Sequence, residues 1–99
     1  MRGIVWSDDA LDDFDTAIFH IVLDSKKSAG LVADRIEAAV SLLADMPIGR
    51  PGRVKGTYEK VVGRTSYIIA YTISDTTLTV ARVIHGNRDW PADSWPSDG

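Results

Sequence analysis

Tyr67-Ile68-Ile69-Ala70-Tyr71-Thr72-Ile73, then Ser74-Asp75-Thr76-Thr77, then Leu78-Thr79-Val80-Ala81-Arg82-Val83-Ile84-His85 decides the fold. The outer runs are rich in β-branched and aromatic residues, and the four residues between them favour a turn. The stretch predicts two antiparallel strands joined by a short connection. A third strand, Tyr58 to Arg64, precedes them closely, so the three form an antiparallel meander. One position resists the alternation. Arg82 falls in line with Leu78, Val80 and Ile84, all apolar, and must pair, snorkel or line a recess.

Upstream, Pro47, Gly49, Pro51, Gly52 and Gly56 mark a loop that carries Arg50, Arg53 and Lys55. Before that loop the apolar period is helical. Ser7 reads as an N-cap, with Asp8 and Asp9 suiting the positive end of a helix dipole. Leu11, Phe14, Ile18, Ile21 and Val22 form the apolar stripe, while Asp12, Asp13 and Asp15 read as a solvated face. Ser25 reads as a second cap. The helix after it runs to about Asp45 on Ala29, Val32, Ala33, Ile36, Ala39, Val40 and Leu43. The link is short, so the helices form an antiparallel hairpin. Gly3 to Trp6 reads as an opening strand. Neither layer can bury its apolar side alone. The expectation is an α+β two-layer fold: N-terminal strand, antiparallel helical hairpin, three-stranded antiparallel meander. Residues 1–90 form one domain, and residues 91–99 are read as a C-terminal tail.

The composition narrows the chemistry. The chain has 99 residues, 44% hydrophobic and 25% charged, and no cysteine. Disulfides, thiolate nucleophiles and cysteine zinc sites are therefore excluded, and a reducing cytoplasm fits. With only His20 and His85, no metal centre or other cofactor is expected. No apolar run approaches the roughly 20 residues of a membrane helix, and no membrane role is expected. Net charge is −3 and unevenly spread: −5 over residues 1–49, +4 over 50–64 and −2 over 65–99. A general nucleic-acid binder carries a domain-wide positive field, and this chain has one basic stretch at most.

Within that stretch, Arg50, Arg53 and Lys55 are candidate nucleic-acid contacts. In an antiparallel meander, Arg64, His85 and Arg88 gather at one end of the sheet, where arginines can grip phosphate bidentately. His85 has the chemistry of a general acid or base near neutral pH. His20 reads as structural.

In this order and at this length the chain resembles the RelE/ParE superfamily of small toxins from type II toxin–antitoxin systems. The matching pieces are the strand ending Trp6-Ser7, Leu42-Leu43-Ala44-Asp45-Met46-Pro47 with Gly49-Arg50, Tyr58-Glu59-Lys60, and Tyr67-Ile68-Ile69-Ala70-Tyr71. The most specific is Ala81-Arg82-Val83-Ile84-His85-Gly86-Asn87-Arg88-Asp89-Trp90, which looks like the ParE side.

The resemblance implies a cytoplasmic toxin held inactive by a cognate antitoxin. ParE-like members poison DNA gyrase by binding; RelE-like members cut messenger RNA on the ribosome. RelE-like enzymes use a basic cluster with a Tyr or His near the C-terminus, whereas the last tyrosine here is Tyr71 and Gly86 stands where a basic residue is usual. The resemblance therefore points to a gyrase inhibitor that is not an enzyme, with the metal-independent mRNA endonuclease as the alternative. Its effector surface is expected at Arg64, Arg82, His85, Arg88 and Trp90. Apolar residues that the two layers leave uncovered are expected to receive the antitoxin.

Overall fold

A computed structural model describes residues 2–86. Its elements are β1 (Gly3–Trp6), α1 (Asp8–Asp24), α2 (Lys26–Asp45), β2 (Arg50–Pro51), β3 (Tyr58–Val61), β4 (Tyr67–Ile73) and β5 (Thr77–His85). The fold is α+β, with two helices on a five-stranded mixed sheet of order β1-β5-β4-β3-β2. β3, β4 and β5 form the antiparallel meander. β1 joins it in parallel, pairing Gly3 with Thr77 through Trp6 with Val80. Arg88, Trp90 and the tail from residue 91 lie outside the described residues.

Both caps form. The Ala10 N–H donates to Ser7 Oγ, and the Ser28 N–H donates to Ser25 Oγ. Ser25 also ends α1, donating its N–H to Ile21 O at 2.8 Å, so a single residue reverses the chain. The buried face of α1 differs from the expected stripe. Ala10 and Ala17 are buried and Phe14 packs on the core, whereas Leu11 and Val22 are exposed. The two alanines let helix and sheet approach closely, which turns the larger side chains beside them toward the rim. On α2 the buried residues Ala29, Ile36, Val40 and Leu43 follow the expected pattern.

Two strand readings change. β3 ends at Val61, because Val62 to Thr65 close a turn: the Thr65 N–H donates to Val62 O, and Arg64 has a φ of 61°. Arg50 and Pro51, read as loop, form a fifth strand paired with Glu59 and Tyr58. Proline is tolerated there because β2 is a sheet edge and needs no outward N–H.

The Arg82 puzzle resolves in the register. Ala70 pairs with Arg82, but the next residue, Tyr71, pairs with Val80, so Ala81 is an extra residue in β5. Such a bulge shifts the alternation by one. The core takes Leu78 and Val80 before it and Val83 after it. A strict period of two had aligned Arg82 with Leu78 and Val80, and the bulge breaks that alignment. The core is completed by Ile36, Val40, Leu43, Ile69 and Tyr71, with Trp6 against Phe14 edge-to-face at 5.5 Å. Truncating a residue such as Ile69 to alanine would cost about 2–5 kcal/mol.

Candidate functional site

The β3–β4 turn and the end of β5 meet at one end of the sheet. Tyr67 pairs with His85, and their rings lie edge-to-face at 5.3 Å. The Gly86 N–H donates to Ser66 O at 2.6 Å. Arg64, three residues before Tyr67, is exposed in the turn. Its left-handed backbone costs a non-glycine residue about 1 kcal/mol. Thr65 holds the turn: its hydroxyl donates to Val62 O and accepts from the Tyr67 N–H. Arg64 and His85 therefore share the sheet end that the sequence assigned to them. The sequence did not bring in Arg35. From α2, its Nη1 donates to Arg64 O at 3.4 Å. Helical periodicity alone places Arg35 on a helix without saying which turn it meets.

Arg82 has a different setting. Its Nε and Nη2 donate to the two oxygens of Asp13 at 2.7 and 2.9 Å. The Val83 N–H donates to the same carboxylate at 3.0 Å. β1 stops at Trp6 opposite Val80, so β5 continues beyond that ladder. Asp13 caps the continuing edge from α1 and neutralises the arginine. The Asp13 hydrogen bonds raise the Arg82 pKa above its ordinary value, against the opposing effect of burial. Asp13, expected on a solvated face, is therefore a tether between helix and sheet.

Between α1 and the end of β5 lies an open cleft of about 540 Å³. Asp12, Asp13, His20, Asp24, Tyr67 and His85 are among its lining residues. Its charge is acidic apart from the two imidazoles. His20, read as structural, is exposed on its rim.

Arg50, Arg53 and Lys55 belong to the far edge, on β2 and the loop after it. Glu59, 3% exposed, organises the two arginines. Its Oε2 accepts the Arg53 N–H at 2.8 Å, and its Oε1 lies 3.5 Å from the Arg50 guanidinium. Tyr71 holds the start of the same segment by accepting the Gly49 N–H at 2.9 Å. A Cβ at Gly49 would run into the Tyr71 hydroxyl, so only glycine fits. Burial, the largest effect, raises the Tyr71 pKa, so the phenol stays protonated near neutrality. Arg50, Glu59, Ala70 and Arg82 occupy one register row across the sheet. Three strand spacings, about 15 Å of backbone, separate the two arginines. The two basic groups thus remain distinct regions.

The family model for the ParE toxin of type II toxin-antitoxin systems, parDE, matches residues 4–90. The chain belongs to the ParE toxin family. It is thus a type II toxin of the RelE/ParE superfamily, on the ParE side. The putative toxin Y4kP of Sinorhizobium fredii is 39% identical over 91 residues, covering 91% of this chain and 94% of that protein. A chain of the chromosomal ParDE TA system from P. aeruginosa superposes with a TM-score of 0.77 at 21% identity, covering 86% of this chain and 96% of that one. A mutant of YafQ from E. coli superposes with a TM-score of 0.56 at 20% identity, covering 84% and 91%. The two structural likenesses carry the fold assignment alone. Among the described residues, no helix is long and apolar enough to cross a membrane, and no group of acidic or histidine side chains is arranged to hold a metal ion.

Proposed function

We propose that this ParE-family toxin acts in the cytoplasm by binding DNA gyrase, and that a cognate antitoxin neutralises it. The observation that carries this reading over RNA cleavage is the lining around His85. A transcript cut there would lay its phosphates beside Asp12 and Asp24, where like charge repels them. The tyrosines add to the case. Tyr71 is 1% exposed and bonded to Gly49, and Tyr67 packs its ring on His85. The target-binding surface is the sheet end with Arg64 and His85; Arg88 and Trp90, which the sequence adds to it, lie outside the described residues. Arg82 serves that surface as a positioning residue, because its guanidinium holds Asp13.

A supercoiling assay with purified gyrase and folded toxin tests the reading, scored for lost supercoiling and for trapped cleaved DNA. Inhibition that the antitoxin reverses is expected. Unchanged supercoiling, with codon-positioned cuts in translated messages after induction, would move the function to the ribosome-dependent endonuclease.

A further inference from the structure

Val61, Ile68 and Ile84 form one row across the sheet, Val61 pairing with Ile68 and Ile68 with Ile84. Paired residues share a face. This face is turned away from the helices. Ile36, Val40 and Leu43 of α2 pack with Ile69, Tyr71, Val80 and Val83, and strand alternation sets Ile69 and Val83 opposite to Ile68 and Ile84. Among the described residues, no helix lies on the reverse face.

The two ends of the row are alike within the sheet. β2 reaches only Tyr58 and Glu59, so Val61 has one strand neighbour. β1 stops opposite Val80, so Ile84 also has one. Their exposure differs nevertheless: Val61 is 51% exposed and Ile84 only 6%, with Ile68 at 8%. Strand neighbours screen the flanks of a side chain, not its top. Arg82 stands two residues from Ile84, but its guanidinium is drawn to Asp13. An apolar sheet face is buried only against another element. Something therefore covers the Ile84 end of this face and leaves the Val61 end open.

The chain itself supplies the occupant. The Gly86 N–H donates to Ser66 O, and a Cβ on Gly86 would lie 3.6 Å from Ile68 Cδ1. The chain thus leaves the sheet beside the covered residues. Thirteen residues follow, 87–99, with Trp-Pro at Trp90-Pro91 and again at Trp95-Pro96. Trp90 comes four residues after Gly86. That is a reach of up to about 14 Å, against a strand spacing of about 5 Å. A tethered segment acts at an effective concentration of order millimolar, which a second copy or a separate peptide must exceed. Charge agrees. The segment carries Asp89, Asp93 and Asp98 against Arg88, and residues 50–64, which lead into the turn beside Gly86, carry +4. We propose that residues 87–99 fold back over the reverse face of β4 and β5, with the Trp90 indole seated on Ile68 and Ile84. Trp90 then belongs to the fold, and Arg88 is held at the sheet end that carries Arg64 and His85. Only that last consequence bears on the gyrase reading.

Nuclear Overhauser contacts in the full-length protein test it, in a mixture of isotope-labelled and unlabelled chains that separates contacts within a chain from contacts between chains. The Trp90 ring is expected to contact the Ile68 and Ile84 methyls of its own chain. Trp90→Ala is expected to remove the ring-current shifts of those methyls while sparing Val61 and Thr79. Absent contacts with unmoved Ile68 and Ile84 methyls overturn the proposal. Contacts found between chains overturn it in favour of a second copy's tail, and contacts from Trp95 alone overturn the assignment of Trp90.

Discussion

Asp13 and Glu59 are two carboxylates that each accept a backbone N–H and face an arginine, yet they hold different things. Asp13 joins α1 to β5 across 69 residues, with both side chains of its pair largely buried. Glu59 acts within its own neighbourhood: its side chain is 2% exposed, but its partner Arg50 is 64% exposed. The first is a tertiary tether, and the second is a peg for a loop. The contrast teaches that an arginine's worth depends on what its carboxylate also holds. Removing Asp13 takes an acceptor from a guanidinium and from a strand N–H at once. Removing Arg50 strands little, because Glu59 keeps the Arg53 N–H.

The largest effect should come from Asp13→Ala. Depriving Arg82 and the Val83 N–H of this acceptor is expected to cost about 3 kcal/mol, read as a fall in urea midpoint. A loss no greater than that of a surface substitution would break the comparison. Glu59→Gln keeps an amide oxygen for Arg53 but removes the charge. A loss of about 1 kcal/mol is expected, with faster proteolysis confined to residues 50–57. Global unfolding at that substitution would make the peg a tether. Arg50→Ala should be nearly silent, below about 0.5 kcal/mol, because Arg50 stays largely in water and Glu59 keeps the Arg53 N–H.

The same loop offers a pH test. Burial raises the Tyr71 pKa in the folded state. As pH rises through the ordinary tyrosine range near 10, the unfolded chain loses its proton first, so stability falls. Tyr71→Phe should flatten that alkaline decline in urea titrations. It should also cost about 1 kcal/mol at neutral pH, because the Gly49 N–H loses its acceptor. An unchanged alkaline limb would show that another group controls it.

Much of this fold was legible because its signals are local. Ser7 and Ser25 announce the helix starts, and a change of period between Asp45 and Tyr58 separates the layers. The misreadings share a different cause. Asp13 sits among Asp12 and Asp15, and nothing local distinguishes the one that reaches β5. The bulge at Ala81 leaves no mark in composition, yet it moves Val83 into the core and frees Arg82 from the apolar row. Arg50-Pro51 reads as loop because two residues cannot show a period. For the site, the shared position of Arg64 and His85 followed from antiparallel geometry. Arg35 and the acidic cleft required the packing of helices on the sheet, which the sequence does not display along its length.

The central claim is that the exposed arginine at the sheet end meets the target, whereas the arginine beside Glu59 serves only its loop. Gyrase supercoiling inhibition by wild type, Arg64→Ala and Arg50→Ala, each verified as folded, tests it most directly. Wild type and Arg50→Ala are expected to inhibit alike, and Arg64→Ala to require about tenfold more protein. Equal inhibition by all three, or none by the wild type, would contradict the account.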